Sequence, residues 1–403
     1  MLNTHAKDLK VIQQSPQDAA FVQDPYAFYA RARGLGELVY WADYDMPVAL
    51  SQRAVSVLLK DRRFGRMPPA DLAPKDLPDH LPDFRRPEAY SLLALDGPPH
   101  VRLRRLVIAP FSTARALDLA PMIKAEAQKL AAALPDGPFD LITAFAQKLP
   151  IKVISNIIGV PNEMGPQLLA WSHAMVAMYQ AGRTHAVEVA ANDAAAAFYT
   201  YLNDFLDTRL AAPTDDLASE LVSRSSDDPL ERDELISLLV LLLNAGHEAT
   251  VHSIGNAIYT LLSQDQPFDV THPDVLSQTT EELLRFEPPL HMFNRYALED
   301  TDLCGFHIRR GQKIGASLAA ANRDPALWPD PDRFDPTRQS SPYISFGAGP
   351  HFCLGAPLAR LELEIAVKAL FNPDLNLRLI EQPLYGDTYH FHGLTRLMVE
   401  KTS

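Results

Sequence analysis

The stretch Leu235 to Leu243 reads Leu-Ile-Ser-Leu-Leu-Val-Leu-Leu-Leu, and as a helix it is apolar on every side. Such a helix has no face to give to water and must run through the middle of a folded body. It then turns polar at Asn244-Ala245-Gly246-His247-Glu248-Ala249-Thr250. Gly246 costs about 1 kcal/mol against alanine in a helix interior. Polar groups and a glycine inside a buried helix point to a cavity beside it. With 403 residues, 47% apolar and 22% charged, the chain can bury the large core that this helix demands. The apolar run falls far short of the roughly 20 residues that span a bilayer.

Around that helix, residues 112 to 265 read as nearly continuous helix. Apolar residues recur every three or four positions, with breaks expected at Pro121, Pro135, Pro150, Pro161 and Pro213. The central helix itself is expected from about Glu231 to Ser263. Short alternating runs with glycine turns predict a β-rich portion at about 37–50, 296–320 and 375–403, against a helical portion at about 51–290 and 354–372. The 33 prolines crowd into 68–99 and 325–357, which should be shaped coil. No repeat of solenoid or propeller length occurs and no low-complexity linker divides the chain, so residues 1–403 are expected to form a single, mainly α domain. The N-terminus has no apolar segment of signal-peptide length, and a soluble, cytoplasmic monomer is expected.

The net charge of -13 argues against general affinity for nucleic acid or an acidic membrane. The charge is uneven: Lys60 to Arg105 holds ten basic and seven acidic side chains, whereas Tyr201 to Leu235 holds three basic and ten acidic. The segment His247-Glu248-Ala249-Thr250-Val251-His252 resembles a zinc-protease motif, but its second histidine is one residue too far along. At i+5 the two imidazoles stand about 140° apart round a helix and cannot share one metal. A structural role for His252 is expected.

Two cysteines exclude a disulfide framework or a four-cysteine zinc site. Cys304, in a strand turn, is expected to be an inert thiol. Cys353 stands in Phe346-Gly347-Ala348-Gly349-Pro350-His351-Phe352-Cys353-Leu354-Gly355-Ala356-Pro357-Leu358-Ala359-Arg360, a tight loop that delivers it to the start of an amphipathic helix. Unpaired N-H groups and the helix dipole favour a thiolate there. The residues themselves allow a nucleophile or a metal ligand.

Here the chain resembles the cytochrome P450 haem-thiolate monooxygenases. Phe346, Gly349, Cys353 and Gly355 match each fixed position of the family's Phe-x-x-Gly-x-x-x-Cys-x-Gly loop. Glu282-Leu283-Leu284-Arg285 resembles its Glu-x-x-Arg helix, and Pro331-Asp332-Arg333-Phe334 with Arg338 resembles the segment closing that ion-pair network. Ala245-Gly246-His247-Glu248 resembles the oxygen-activation motif, and His100-Val101-Arg102-Leu103-Arg104 resembles a His-x-x-x-Arg helix facing haem propionates. The likeness runs in order from about Asp24 to the C-terminus.

The resemblance implies the cytochrome P450 fold, a large helical body with a small β-rich region and haem b between the central helix and the cysteine-loop helix. It implies Cys353 as the iron's thiolate ligand, with Phe346, Gly347, Gly355 and Ala359 packing around it. It implies His100, Arg104, Arg295 and His351 on the propionates, and Ala245 with Gly246 leaving room for dioxygen and substrate. Glu248 would deliver protons by general-acid action through water. The family's usual hydroxyl after the acid is missing: Ala249 stands there, and Thr250 lies about 100° further round the helix. An ordered water chain or a substrate hydroxyl would then complete the relay.

Substrate contacts are expected from about 66–95, 168–190, 241–249, 289–293 and 392–394. Leu92, Leu93, Leu241, Leu242, Met292, Phe293 and Leu394 predict a hydrophobic ligand of modest size, with His291 and Asn294 as polar anchors. The implied reaction is hydroxylation or epoxidation of that ligand by O2, with electrons from an iron-sulfur ferredoxin and its NAD(P)H-dependent reductase. Arg102, Arg104 and Arg105 with Arg63 and Arg360 would make a basic dock for that acidic carrier. Ala249 leaves room for a haem-thiolate peroxygenase, isomerase or dehydratase that needs no external electrons. A non-catalytic haem protein would leave Glu248 beside Gly246 without a purpose.

Overall fold

The computed structural model describes residues 9–73, 79–180, 183–223, 229–265, 269–339, 342–372 and 375–402. Residues 74–78 and 181–182, which belong to the expected substrate-contact segments, lie outside the described residues, as does Ser403. The chain is mainly helical with small sheets. The central helix spans Arg232–Leu262 and is about 46 Å long at 1.5 Å per residue. A capping box starts it: Glu231 accepts from the N-H of Glu234, whose side chain accepts from the N-H of Glu231. Leu235, Ile236, Leu238, Leu239, Val240, Leu242 and Leu243 are all buried, as an all-round apolar segment requires.

Against it pack the helices Lys148–Ile158, Pro82–Glu88, His185–Ala211, Gly165–Val176 and Ala356–Leu370. The central helix alone among the described residues is long and apolar enough to cross a membrane, and two thirds (67%) of its apolar 18-residue stretch is buried inside the protein. Its apolar character is therefore accounted for by the core.

Of the expected helix breaks, that at Pro121 does not occur and that at Pro150 falls at a helix start. Pro121 lies inside the helix Thr113–Ala132, and Pro150 lies in the first turn of Lys148–Ile158. A first-turn N-H has no intrahelical acceptor, so Pro150 removes nothing. At Pro121 one backbone bond is lost on an exposed face, while Ala116, Ile123, Ala127 and Leu130 stay buried along the other side. Packing on that side holds the helix across the proline.

The main sheet has six strands, ordered Val11–Ile12, Leu38–Trp41, Met46–Ala49, Lys313–Ser317, Met292–Ala297 and Phe64–Gly65. Two of the short strands, Phe64–Gly65 here and Phe139–Asp140 in the C-terminal sheet, fall in the portion expected to be helical. At two residues each they are too short to leave a period-two signal. The strand Met292–Ala297 matters most for the site. Residues two apart share a face, so Phe293 and Arg295 point the same way while Met292 joins the core on the other side with Trp41, Met46 and Val48.

The Glu-x-x-Arg match forms a closed knot. Arg285 donates twice to Glu282, at 2.7 Å each, and to the carbonyls of Asn322 (2.9 Å) and Pro331 (3.0 Å). Arg338 donates to Glu282 at 3.2 Å. Arg333 contributes only its backbone carbonyl, at 3.5 Å from Arg285, and its side chain is 72% exposed. The second cation of the network is thus Arg338, which the carbonyls of Asp330 and Arg333 hold against Glu282, while the Arg333 side chain turns outward beside Asp335.

Candidate active site

Two glycines with left-handed backbones shape the cysteine loop, Gly347 (φ +70°) and Gly349 (φ +71°). A Cβ on Gly349 would collide with the carbonyl oxygen of Leu59 and lie 2.9 Å from the Cα of Lys60, so only glycine fits. The loop closes where the N-H of Cys353 donates to the carbonyl of Phe346 at 2.9 Å. Gly355 then caps the helix Ala356–Leu370. The Arg360 guanidinium lies 4.6 Å from the Phe346 ring centroid, and it also donates to Glu281 at 2.8 Å.

Burial pushes the Cys353 thiol above its ordinary value, while N-H groups of Gly355 and Ala356 and the cations Arg104 and Arg360 pull it down. The lowering expected from the helix start is present but outweighed. A buried thiol ringed by donors and guanidinium groups becomes a stable thiolate once a cation's charge is added. Cys304, at a left-handed turn between two strands, is raised by burial and by Glu37 and lowered only by Arg53, with no backbone N-H group among its influences.

Facing the loop is a set of cationic and imidazole side chains short of partners. His100 is buried with Nε2 unpaired, and burial, His351 and Arg104 push it down to about 4. Arg295 is buried and lowered to about 9 by desolvation and by Arg66; its one hydrogen bond is to the Asn294 carbonyl, at 3.0 Å. Among the described residues no carboxylate is within ion-pair distance of it. Arg104 donates to the carbonyl of Phe352 at 2.7 Å. His351 lies beside His100, ring centroids 4.3 Å apart, but its Nε2 meets Asp96 at 3.0 Å. Asp96 also accepts from the N-H of Arg66, and these bonds hold it below the usual carboxylate range despite its burial.

On the opposite side runs the central helix. Ala245 is exposed although it sits midway along a buried helix, so it faces a hollow inside the protein. Leu241 and Ala249, one turn to either side, are partly exposed on the same face. Gly246 does not face this hollow. A Cβ there would come within 2.7 Å of Ile154, so the glycine permits close packing of the helix Lys148–Ile158. Glu248 is nearly buried, and burial raises its carboxyl while His173 lowers it. His173, on the helix Gly165–Val176, lies 3.3 Å away and is 46% exposed. His252 stands 3.8 Å from Glu248 with its ring packed on Gly393; Thr250 is buried. His247 bonds the Leu243 carbonyl through Nδ1 at 2.7 Å and leaves Nε2 unpaired.

These residues fit thiolate-ligated haem. An unpaired buried guanidinium and imidazole suit two carboxylates, a donor-ringed thiol suits the iron, and the exposed Ala245 face suits a flat apolar ring. The expected substrate residues divide. Phe293 lies 3.7 Å from where a Cβ on Gly347 would be, and so borders the cysteine loop. Leu92, Leu242 and Leu394 belong to the large core, and Leu93 is 41% exposed with its carbonyl accepting from Arg66 at 2.6 Å. His291 is fully buried elsewhere, meeting Tyr29 at 3.1 Å beside Glu287 and His392, and Met292 packs behind the sheet. Alternation along the strand carries Met292 away from the loop, whereas His291 precedes the strand and turns into the Tyr29 and Glu287 network. Sequence reasoning missed Asp96, the Arg66 guanidinium as a site cation, and His173. Asp96 precedes the helix Gly97–Val107 and is legible as a cap, whereas His173 carries no local signal.

Comparison with known proteins agrees with this geometry. The family model for cytochrome P450 matches residues 264–373. The chain is 36% identical over 395 residues to a vitamin D(3) 25-hydroxylase of Pseudonocardia autotrophica, covering 94% of each. It is 37% identical over 339 residues to a mycinamicin IV hydroxylase/epoxidase of Micromonospora griseorubida, covering 82% of this chain and 83% of the relative. The crystal structure of P450BioI with an acyl carrier protein ligated to hexadec-9Z-enoic acid superposes with a TM-score of 0.89 at 31% identity, over 95% of this chain and 100% of that one. The chain belongs to the cytochrome P450 family. It is a haem-thiolate monooxygenase, and its cofactor is haem b.

Proposed function

We propose that the protein hydroxylates or epoxidises a small to medium hydrophobic molecule, drawing electrons from a ferredoxin and its NAD(P)H-dependent reductase, as a soluble cytoplasmic monomer. The observation that carries the reading is the placement of Glu248, a buried carboxyl one helical turn from the exposed Ala245 face and joined to a half-exposed imidazole. Haem, when bound, supplies the oxygen-activating chemistry of the family.

In this reading Cys353 holds the iron, and the N-H groups of Gly355 and Ala356 steady its thiolate. His100, Arg104 and Arg295 hold the propionates, with His351 fixed by Asp96 to pack against His100. Ala245, Leu241, Ala249 and Phe293 border the ligand and exclude water from it. Glu248 holds a proton and releases it toward that face, and His173 replaces it from solvent. Ala249 has no hydroxyl to pass the proton on, so ordered water or a substrate hydroxyl takes that step.

Among the basic residues expected to meet the ferredoxin, Arg63 pairs with Asp61 at 2.6 Å and Arg104 donates to the Phe352 carbonyl at 2.7 Å. Arg102 pairs with Glu234 at 2.6 Å, and Arg360 with Glu281 at 2.8 Å. Arg105 is exposed on the same helix, and the dock is proposed around it. The test is turnover with a ferredoxin pair on compounds that shift the ferric spin state. Product that needs both O2 and NAD(P)H supports the reading. Product from peroxide alone, or without O2, replaces it with the peroxygenase or isomerase class.

A further inference from the structure

We propose that His80, His185 and Glu188 form a binding site for a divalent transition-metal ion of the zinc type, on the surface and apart from the haem site. One ligand atom from each residue lies within 4.8 Å of the others. His80 comes from the turn before the helix Pro82–Glu88, while His185 and Glu188 come from the first turn of the helix His185–Ala211. Positions three apart share a helix face, so the last two point together without help from the rest of the fold.

The geometry is close to what a metal needs. A tetrahedral ion with bonds near 2.0–2.1 Å holds its ligands roughly 3.3 Å apart. His80 Nε2 and Glu188 Oε2 are 2.8 Å apart as a hydrogen-bonded pair, so an ion replacing the shared proton needs them to part by about half an ångström. The His80 and His185 rings are already in edge contact, centroids 4.5 Å apart. Arg183 donates to the other oxygen, Glu188 Oε1, at 2.9 Å, and to the Met178 carbonyl at 3.3 Å. It therefore occupies Oε1 and leaves Oε2 facing His80, at the cost of a nearby positive charge. Two imidazoles and one carboxylate suit zinc or its neighbours over calcium or magnesium, and leave a fourth position for water.

The other two groupings of this kind among the described residues do not offer such a site. Glu287, His291 and His392 are fully enclosed, with Arg323 3.6 Å from the carboxylate. His173, His247 and Glu248 belong to the active site. The surface grouping joins two elements already tied together, since Asn192 accepts from the N-H of Asp83 at 2.9 Å and of Phe84 at 3.1 Å. Both rest on the central helix; Ser237 donates to the carbonyl of Pro87. An ion here fastens the roof of the interior.

The test uses the haem-loaded enzyme, stripped with a chelator and dialysed, then titrated with Zn2+ by calorimetry at neutral pH. One saturable site per chain is expected at micromolar affinity, with a higher unfolding temperature and an unchanged haem spectrum. His185→Ala and His80→Ala should each weaken binding at least about tenfold and abolish the thermal shift. Both side chains lie at the surface, so the variants should fold, and their haem spectra check this. Absence of saturable uptake up to millimolar Zn2+, or uptake that survives both substitutions with a smaller loss, overturns the proposal.

Discussion

Glu248 and His173 lie 3.3 Å apart on two different helices, one side chain 10% exposed and the other 46%. A carboxyl buried in the central helix thus has its nearest link to solvent in the His173 imidazole, which is nearer and more exposed than His252. Burial raises Glu248 and the neighbouring imidazole lowers it, so the pair sets the pH at which the acid keeps its proton. Glu248→Gln should cut product formed per NAD(P)H by about 10²-fold while the haem spectrum stays the same. His173→Ala removes the lowering influence, so the alkaline limb of the pH-rate profile should move upward. A profile identical to the parent's removes His173 from the relay.

Ala249 stands one residue beyond that acid and is partly exposed on the helix face that Ala245 shares. If water or the substrate's own hydroxyl carries the proton, a new side chain there disturbs it. Ala249→Thr is expected to leave haem binding intact and to divert electrons from product to peroxide, measured as the ratio of the two. Unmoved yields mean that position 249 is not the control point.

Arg102 and Arg105 differ in exposure, the first partly buried and the second exposed. Arg102 is held by Glu234 and by the Pro229 carbonyl at 2.8 Å, so reversing it to Glu sets two carboxylates together at the start of the central helix. Arg102→Glu should mainly lower the unfolding temperature. Arg105→Glu should slow reduction by ferredoxin and flatten its salt dependence in stopped-flow measurements. Equal reduction rates for parent and Arg105→Glu place the dock elsewhere.

Much of this was open to reading in the chain. The all-round apolar run required a buried helix, and the spacing of Phe346, Gly349, Cys353 and Gly355 carried the loop that presents Cys353. Hidden from view were directions. Gly246 serves a neighbouring helix and not the hollow, because which face a glycine occupies depends on where Ile154 sits. His291 is adjacent in sequence to strand residues that border the loop, yet it turns into a network of Tyr29, Glu287 and His392. His173 is about seventy residues from Glu248, and only tertiary packing pairs them.

Glu362 offers an independent check on the packing of the cysteine-loop helix. It is 1% exposed, has an unpaired Oε2, and burial raises its carboxyl well above the usual range. A raised acid contributes stability in full below the unfolded value, and that contribution fades as pH rises toward the folded one. The parent should therefore lose about 1.4 kcal/mol per pH unit from this group above about pH 4.5. Glu362→Gln should be free of that slope in denaturant titrations at several pH values. Equal slopes in the two proteins would mean that Glu362 is not buried as described.

The central claim is that Cys353 holds haem iron as a thiolate, and the absorption spectrum of the reduced protein under carbon monoxide tests it most directly. The account predicts a strongly red-shifted Soret band that Cys353→Ser abolishes while Cys304→Ser leaves it in place. A Soret band at the position given by a neutral ligand in the parent protein, or a red shift that survives Cys353→Ser, would contradict it.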